Sequence, residues 1–193
     1  MIKIGLTGGM GSGKSTVAAY IEMIGYPVYY SDAQAKKLMT FNADLIKQIK
    51  ATFGPSIFSF GTLDRKMLAN IVFTSADKLK RLNEIVHPFV KADFIQWMQQ
   101  QKSKAVFLES AILFESNFYL LMDKTIVITA PIEERIQRIE QRDHLKQEEI
   151  LNRLQYQLPE KQLLKLADFH IANDHAHAVI PQVNKIMQTV LPI

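Results

Sequence analysis

The feature that most constrains the fold is a glycine-rich loop set between an apolar segment and an amphipathic one. Residues 8–15 read GGMGSGKS, which matches the pattern Gly-x-x-x-x-Gly-Lys-Ser. Residues 2–6 predict a short buried strand before the loop, and residues 14–24 place apolar side chains at helical spacing after it. A strand, a phosphate-binding loop and a helix in this order predict the first βα unit of a P-loop fold.

The glycines follow from what such a loop must do. Backbone N–H groups converge on a phosphate, side chains would block that approach, and Gly tolerates the positive φ values that the curled chain requires. The next helix adds free N–H groups and the positive end of its dipole. Lys14 can reach the β- and γ-phosphates, and the Ser15 hydroxyl can ligate Mg²⁺. The ATP-binding residues predicted from the loop are Gly11, Ser12, Gly13, Lys14, Ser15 and Thr16.

Further apolar runs predict the remaining strands of a single α/β domain over residues 1–193. These runs are rich in Val, Ile and Phe and do not alternate with polar residues, which is typical of a parallel sheet covered on both faces. The predicted strands are residues 27–30, 105–108, 125–129 and 169–172, and the predicted helices are residues 78–86, 88–101, 131–142 and 179–190. The stretch of residues 33–102 is longer than a crossover needs, so we expect a helical insert there.

Composition excludes several classes of protein. Nearly half of the 193 residues are hydrophobic, which suffices for one sizeable core. The absence of cysteine excludes disulfides and thiolate metal sites. No apolar run approaches the roughly 20 residues of a membrane span, so we expect a cytoplasmic protein without a membrane partner. The formal charge of +4 suits a protein that binds polyphosphates, and equally a nucleic-acid binder or a protein with no such role.

Two large P-loop classes do not match. Switch GTPases need an Asn-Lys-x-Asp guanine motif, but Asn184-Lys185 is followed by Ile186 and Met187. Motor and helicase ATPases usually end an apolar strand in Asp-Glu, whereas residues 106–108 precede Glu109-Ser110. Small-molecule kinases remain, and a nucleotide-dependent regulatory protein is the alternative from another class. ADP release that rises with a small acceptor, rather than with a macromolecular partner, would separate the two.

An ordered series of segments resembles the dephospho-CoA kinase family over residues 4–174. The matching segments are residues 5–16 (GLTGGMGSGKST), 53–54 (FG), 61–65 (GTLDR), 87–88 (HP), 111–115 (AILFE), Arg138 with Arg142, Arg153 with Gln157, and Ala167-Asp168 with Asn173. Two segments depart from the pattern: Tyr30-Ser31-Asp32 keeps only the second Asp of the family's common Asp-Ala-Asp, and Ala111 replaces a Pro. Neither departure affects the implied base or a phosphate ligand.

The resemblance implies a fold, a reaction and partners. The fold is a three-layer P-loop kinase with a five-stranded parallel sheet, a helical acceptor-binding insert over about residues 33–102, and an arginine lid over about residues 135–155. The reaction is phosphorylation of the ribose 3′-hydroxyl of dephospho-CoA by ATP with Mg²⁺, giving coenzyme A and ADP. The implied protein is a monomer or small homo-oligomer that binds no nucleic acid. Another nucleoside or nucleotide kinase is the close alternative.

The implied general base is Asp32, which follows the second predicted strand. Ligands of parallel α/β sheets gather beyond the carboxyl ends of the strands, where a carboxylate can accept the proton of an attacking hydroxyl or hold a Mg²⁺-bound water. From sequence alone, the N-cap of a helix that begins at Ala33 is the favoured interpretation of Asp32, and the family resemblance reverses that preference. The two roles are compatible.

The implied lid residues are Arg138, a catalytic candidate, and Arg142, an ATP-binding candidate. With Arg135 they fall at i, i+3 and i+7, so the three share a helix face that can neutralise charge on the triphosphate. A solvated face is the other interpretation, since Glu134 and Arg138 are spaced for an ordinary i,i+4 pair.

Two substrate-binding candidates lie in the insert. The resemblance places Arg65, at the start of a helix capped by Asp64 or Thr62, near the acceptor, where it can contact a phosphate. His87 precedes Pro88 and can touch the substrate. Each has an alternative interpretation: Arg65 as a surface side chain, and His87 as a hydrogen-bonded structural residue at a helix start.

Overall fold

The computed structural model describes residues 1–59 and 62–191. The described strands are β1 (Ile2–Thr7), β2 (Val28–Tyr30), β3 (Phe58–Ser59), β4 (Thr62–Leu63), β5 (Ala105–Glu109), β6 (Lys124–Thr129) and β7 (Phe169–Ala172). The described α-helices are α1 (Lys14–Met23), α2 (Ser31–Phe41), α3 (Ala43–Phe53), α4 (Arg65–Val72), α5 (Ala76–Gln99), α6 (Ile132–Asp143), α7 (Gln147–Leu154), α8 (Glu160–Leu166) and α9 (Val179–Val190). Short 3₁₀ helices lie at Pro55–Ile57 and Phe118–Leu121.

Five strands form one parallel sheet in the order β2-β5-β1-β6-β7. All five residues of β5 are buried, as the apolar run of residues 105–108 predicts for a strand covered on both faces; the fifth residue is Glu109. The chain leaves β1 toward β2 and later returns to the other side of β1 through β6. The loop after β1 therefore lies at a switch point, the place where open α/β sheets bind their ligands.

Alternate side chains of β1 pack against different layers, because successive residues of a strand face opposite sides. Ile4 and Leu6 are fully buried in a core shared with α1 and α9. Gly5 faces the other side, where a Cβ atom would lie 2.6 Å from Leu113 Cδ2. On that side Leu163 of α8 packs with Val127 of β6. Helices or loops thus cover both faces, which confirms the predicted three-layer fold.

The chain divides into two compact units. The sheet unit comprises Met1–Tyr30 and Gln101–Ile193. The helical unit comprises Ser31–Gln100 and contains α2 to α5 and the antiparallel pair β3–β4. Within the helical unit α5 contacts α2, α3 and α4. The buried side chains of the helical unit include Leu45, Ile49, Leu68, Val90 and Phe94.

The prediction of two helices on either side of Pro88 is wrong, because α5 continues from Ala76 to Gln99 with Pro88 inside it. A proline within a helix costs about 3 kcal/mol, since it removes one backbone hydrogen bond and crowds the preceding turn. Buried side chains on both sides of Pro88, including Val86 and Val90, pack into the core of the helical unit and offset that cost. The short β3–β4 pair was also not predicted.

Smaller differences occur at helix starts. Pro131 has extended ψ and precedes α6 as its N-cap, whereas the sequence predicted it as the first helical residue. Asp64 rather than Thr62 caps α4, since its carboxylate accepts a hydrogen bond from Met67 N at 3.0 Å. Gly61, the first residue of the GTLDR segment, lies outside the described residues. Every helix within residues 1–59 and 62–191 is too short or too polar to span a lipid bilayer.

Candidate active site

The loop between β1 and α1 curls as its sequence predicts. Ser12 N donates to Gly9 O at 3.1 Å and closes a turn. Gly11 and Gly13 have φ values of +81° and +97°, in the left-handed region that favours glycine. A Cβ atom at Gly11 would lie 2.6 Å from the backbone oxygen of Arg135, so a side chain there would collide with α6.

Each carbonyl from Gly8 to Ser12 accepts a hydrogen bond from a side chain. Lys14, the first residue of α1, donates from Nζ to Gly8 O at 2.9 Å and to Gly9 O at 3.2 Å. The other donors come from distant segments. They are Arg135 Nε to Met10 O at 2.9 Å, Arg138 Nη1 to Gly11 O at 3.3 Å, and Asn173 Nδ2 to Ser12 O at 2.9 Å.

This outer ring of donors orients the loop for an anion. The C=O and N–H of a trans peptide point in opposite directions, so a carbonyl held outward turns the following N–H inward. The N–H groups of Gly11 and Gly13 therefore face away from Arg135 and Asn173. Together with the start of α1 they form a concave set of donors of the kind that binds phosphate.

The side chains around the loop differ in accessibility. Lys14 is 7% exposed and Ser12 is fully buried, whereas Ser15 and Thr16 at the start of α1 are exposed. A second polar group, the Glu109 carboxylate, is buried at the carboxyl end of β5. Since β5 pairs in parallel with β1, Glu109 lies at the same edge of the sheet as the loop.

The three arginines of α6 have different surroundings. Arg135 contacts both Gly9 and the Met10 carbonyl, and burial lowers its pKa. Arg138 Nη2 donates to Glu134 at 2.7 Å, the i,i+4 pair of the solvated-face interpretation, yet its Nη1 also contacts the loop. Arg142 donates from Nε and Nη2 to the Asp143 carboxylate, and this pairing raises the pKa of Arg142.

The sequence did not single out Arg135, although the shared face with Arg138 and Arg142 was visible. Gln157 and Asn173 were noted only as parts of family motifs. In the structure Gln157 Oε1 accepts a hydrogen bond from Met10 N at 2.8 Å. Motif membership was thus the available signal for both residues, but it carried no information about their contacts.

Asp168, also part of a family motif, connects two strands. Its carboxylate accepts hydrogen bonds of 2.8 Å from Thr125 N and Thr125 Oγ1 at the start of β6. Burial by itself raises the pKa of Asp168, but these bonds and the nearby Lys124 lower it overall. Asp168 thus fixes the start of β7 to β6. Asn173, the first residue after β7, contacts the loop through Ser12 O.

In the helical unit, the predicted site residues lie on three helices. Asp32 is exposed in the first turn of α2, which begins at Ser31, so it is a residue of the helix rather than its N-cap. Arg65 is the exposed first residue of α4. His87 is half-buried in α5, and burial, with the charge of Lys91, lowers its pKa to about 4. At neutral pH His87 can therefore offer a substrate a hydrogen bond but no charge.

The sheet order, the nucleotide loop at its switch point and the α6 arginines define a P-loop kinase. The family model for dephospho-CoA kinases matches residues 2–178. The chain belongs to the dephospho-CoA kinase family.

Individual relatives agree with this membership. The chain is 40% identical over 191 residues to a dephospho-CoA kinase of Porphyromonas gingivalis, covering 98% of this chain and 95% of that protein. A Thermus thermophilus crystal structure superimposes with a TM-score of 0.83 at 35% identity, covering 98% of this chain and 96% of that one. A dephospho-CoA kinase structure from Campylobacter jejuni gives 0.68 at 31% identity, covering 97% and 96%.

Proposed function

We propose that the protein transfers the γ-phosphate of ATP to the ribose 3′-hydroxyl of dephospho-CoA, giving coenzyme A and ADP. This is the final step of coenzyme A biosynthesis. The observation that carries the proposal is the extent of the family match, residues 2–178, which includes the whole helical unit as well as the nucleotide loop. A match confined to the loop would identify only a nucleotide site.

In the proposed transfer, the 3′-oxygen bonds to the γ-phosphorus while the bond from that phosphorus to the β,γ-bridging oxygen breaks. The proton of the 3′-hydroxyl passes to the Asp32 carboxylate. Asp32 suits this role because it is exposed and follows the last residue of β2 by two positions. Lys14 and the inward N–H groups of the loop stabilise charge on the phosphate oxygens.

The donor set around the loop fits Mg²⁺, which accompanies ATP in such reactions. Mg²⁺ prefers oxygen ligands, and the loop edge of the sheet offers the exposed Ser15 hydroxyl and the buried Glu109 carboxylate. We propose that Ser15 would hold the ion. When bound, Mg²⁺ would neutralise charge on the β- and γ-phosphates.

For the acceptor we propose the helical unit. Arg65 begins α4, and the same helix region exposes 40% of Met67 and 37% of Phe73. The helical unit thus offers both a cationic group and exposed apolar surface, which suit a ligand with a diphosphate and a long pantetheine arm. Leu68, Val72 and Phe94 are core residues of the unit and take no part in this surface. His87 is proposed as a neutral hydrogen-bonding contact.

The proposed function is tested by the choice of acceptor. We expect kcat/KM for dephospho-CoA to exceed that for AMP by at least about 100-fold, because AMP lacks the remote groups whose binding energy aligns the ribose. The protein is incubated with ATP, Mg²⁺ and each acceptor, and phosphorus NMR locates the new phosphate. Rapid ADP formation from AMP, without coenzyme A from dephospho-CoA, would identify a nucleotide kinase instead.

For the lid we propose that Arg138 and Arg142 contact the transferring phosphate. Arg138→Ala and Arg142→Ala should each lower kcat about 10- to 100-fold and change KM for dephospho-CoA much less, because their partners are phosphate oxygens. Steady-state kinetics measure both constants. Arg81→Ala, which breaks an exposed ion pair with Glu84, is the matched control. Unchanged kcat in both lid variants would place these arginines on an ordinary solvated surface.

Location and assembly are proposed from the reaction. Because ATP is an abundant cytoplasmic metabolite, we propose that the enzyme works in the cytoplasm with ATP and dephospho-CoA as its partners. Cell fractionation followed by an activity assay tests the location. A monomeric or small homo-oligomeric state without nucleic acid stays a prediction.

A further inference from the structure

Both backbone groups of Met10, in the middle of the phosphate loop, are held by side chains from distant segments. Its N–H donates to Gln157 Oε1 at 2.8 Å, and its carbonyl accepts from Arg135 Nε at 2.9 Å. Arg135 lies near the start of α6 and Gln157 lies three residues beyond the end of α7. The two ends of the α6–α7 segment thus meet at one residue of the loop.

Gln157 is itself fixed by the segment that follows β5. Its Nε2 donates to Ala111 O at 3.0 Å, and the N–H of the next residue, Leu158, donates to Glu115 Oε1 at 2.8 Å. One donor partner and one acceptor partner determine which end of the amide carries the oxygen. The side chain is therefore a rigid bridge from the sheet unit's β5 loop to Met10.

Such a bridge matters because the loop is rich in glycine. Gly lacks a Cβ atom, so the peptides beside Gly11 resist rotation less than ordinary peptides do. Rotation of the peptide between Met10 and Gly11 would turn a carbonyl oxygen, instead of the Gly11 N–H, toward a bound triphosphate. Arg135 opposes that rotation by holding the Met10 carbonyl, and Gln157 holds the preceding peptide, between Gly9 and Met10, through the Met10 N–H.

We propose that Gln157 is a positioning residue for ATP, and that with Arg135 it clamps Met10 so that the loop keeps its phosphate-binding shape. The proposal rests on the kinase function above. Gln157 acts through the backbone of Met10 and not on the reacting atoms. Its loss should therefore weaken nucleotide binding and leave the acceptor constant unchanged.

The test compares Gln157→Met with Gln155→Met. Methionine keeps the length of glutamine and lacks its hydrogen bonds, and Gln155 is an exposed glutamine two residues away. We expect Gln157→Met to raise the Kd of the non-hydrolysable analogue AMP-PNP with Mg²⁺ about tenfold in calorimetry, since one backbone donor loses its partner. Amide exchange at Met10, followed by NMR, should become faster. Gln155→Met should match the wild type in both.

Several outcomes overturn the clamp. An unchanged Kd in folded Gln157→Met does so, and so does an equal rise in KM for ATP and dephospho-CoA, which would indicate a general structural role. If Gln157→Met does not fold, Gln157→Asn replaces it: its shorter side chain cannot span Met10 and Ala111, and an unchanged Kd there is equally decisive. Because calorimetry needs no acceptor, failure of the clamp is distinguishable from a wrong acceptor assignment.

Discussion

Replacing Lys14 with methionine is expected to lower kcat for coenzyme A formation by about 10³-fold. Lys14 supplies a mobile charge beside the loop, and its Nζ already lies within 3.2 Å of the Gly8 and Gly9 carbonyls. In the proposed transfer it follows charge that develops on the β- and γ-phosphates. Methionine retains the aliphatic length that a site only 7% exposed requires, and it removes the charge. Coupled ADP release with saturating dephospho-CoA measures the loss.

The control for Lys14 is Lys165→Met. Lys165 lies exposed on α8 of the same unit, so the substitution changes net charge equally and should leave kcat within about twofold of the wild type, as for most surface changes. Circular dichroism and thermal unfolding verify that both variants fold. Wild-type turnover in a folded Lys14→Met enzyme would remove Lys14 from the transfer step.

Asp32→Asn is expected to keep the affinity for ATP and to lower kcat by about 10²- to 10⁴-fold, the usual effect of losing a general base. Asparagine has nearly the same shape as aspartate but cannot accept the proton of the 3′-hydroxyl. Calorimetry with AMP-PNP and Mg²⁺ measures nucleotide affinity, and coenzyme A formation measures turnover.

Because Asp32 lies in the first turn of α2, it also interacts favourably with the helix dipole, a contribution of about 0.3–1 kcal/mol. Asp44→Asn makes the same chemical change in the first turn of α3 and is the matched control. Both variants should lose similar stability in thermal unfolding, but only Asp32→Asn should lose turnover. Equal kcat values in the two variants would show that Asp32 only stabilises its helix.

Local sequence was enough to predict the framework of the sheet unit. The strands of the parallel sheet are mainly apolar, as burial on both faces favours, although Lys3, Thr125 and His170 interrupt β1, β6 and β7. The loop between β1 and α1 was equally predictable, since its glycines and Lys14 serve contacts within a few residues of one another. The first residues of helices were less predictable. The sequence suggested that a helix begins at Ala33 and another at Pro131, whereas α2 begins at Ser31 and Pro131 precedes α6.

Packing decided what local rules left open. Pro88 favours a break between two helices. One continuous helix forms instead, because apolar side chains on both sides of Pro88 are buried in the core of the helical unit. The spacing of Arg135, Arg138 and Arg142 predicted a shared helix face but not which of the three contact the loop. Arg135 reaches Met10, whereas Arg142 pairs with Asp143.

The contacts that shape the phosphate loop were decided only by tertiary structure. Gln157 is 147 positions from Met10, and Asn173 is 161 positions from Ser12. Local pattern determined that a phosphate loop would form, because its glycines permit the left-handed φ values of Gly11 and Gly13 and because a strand and a helix flank it in sequence. Which side chains hold its carbonyls depends on strand order and on how α6, α7 and β7 pack around β1, and no local pattern contains that information.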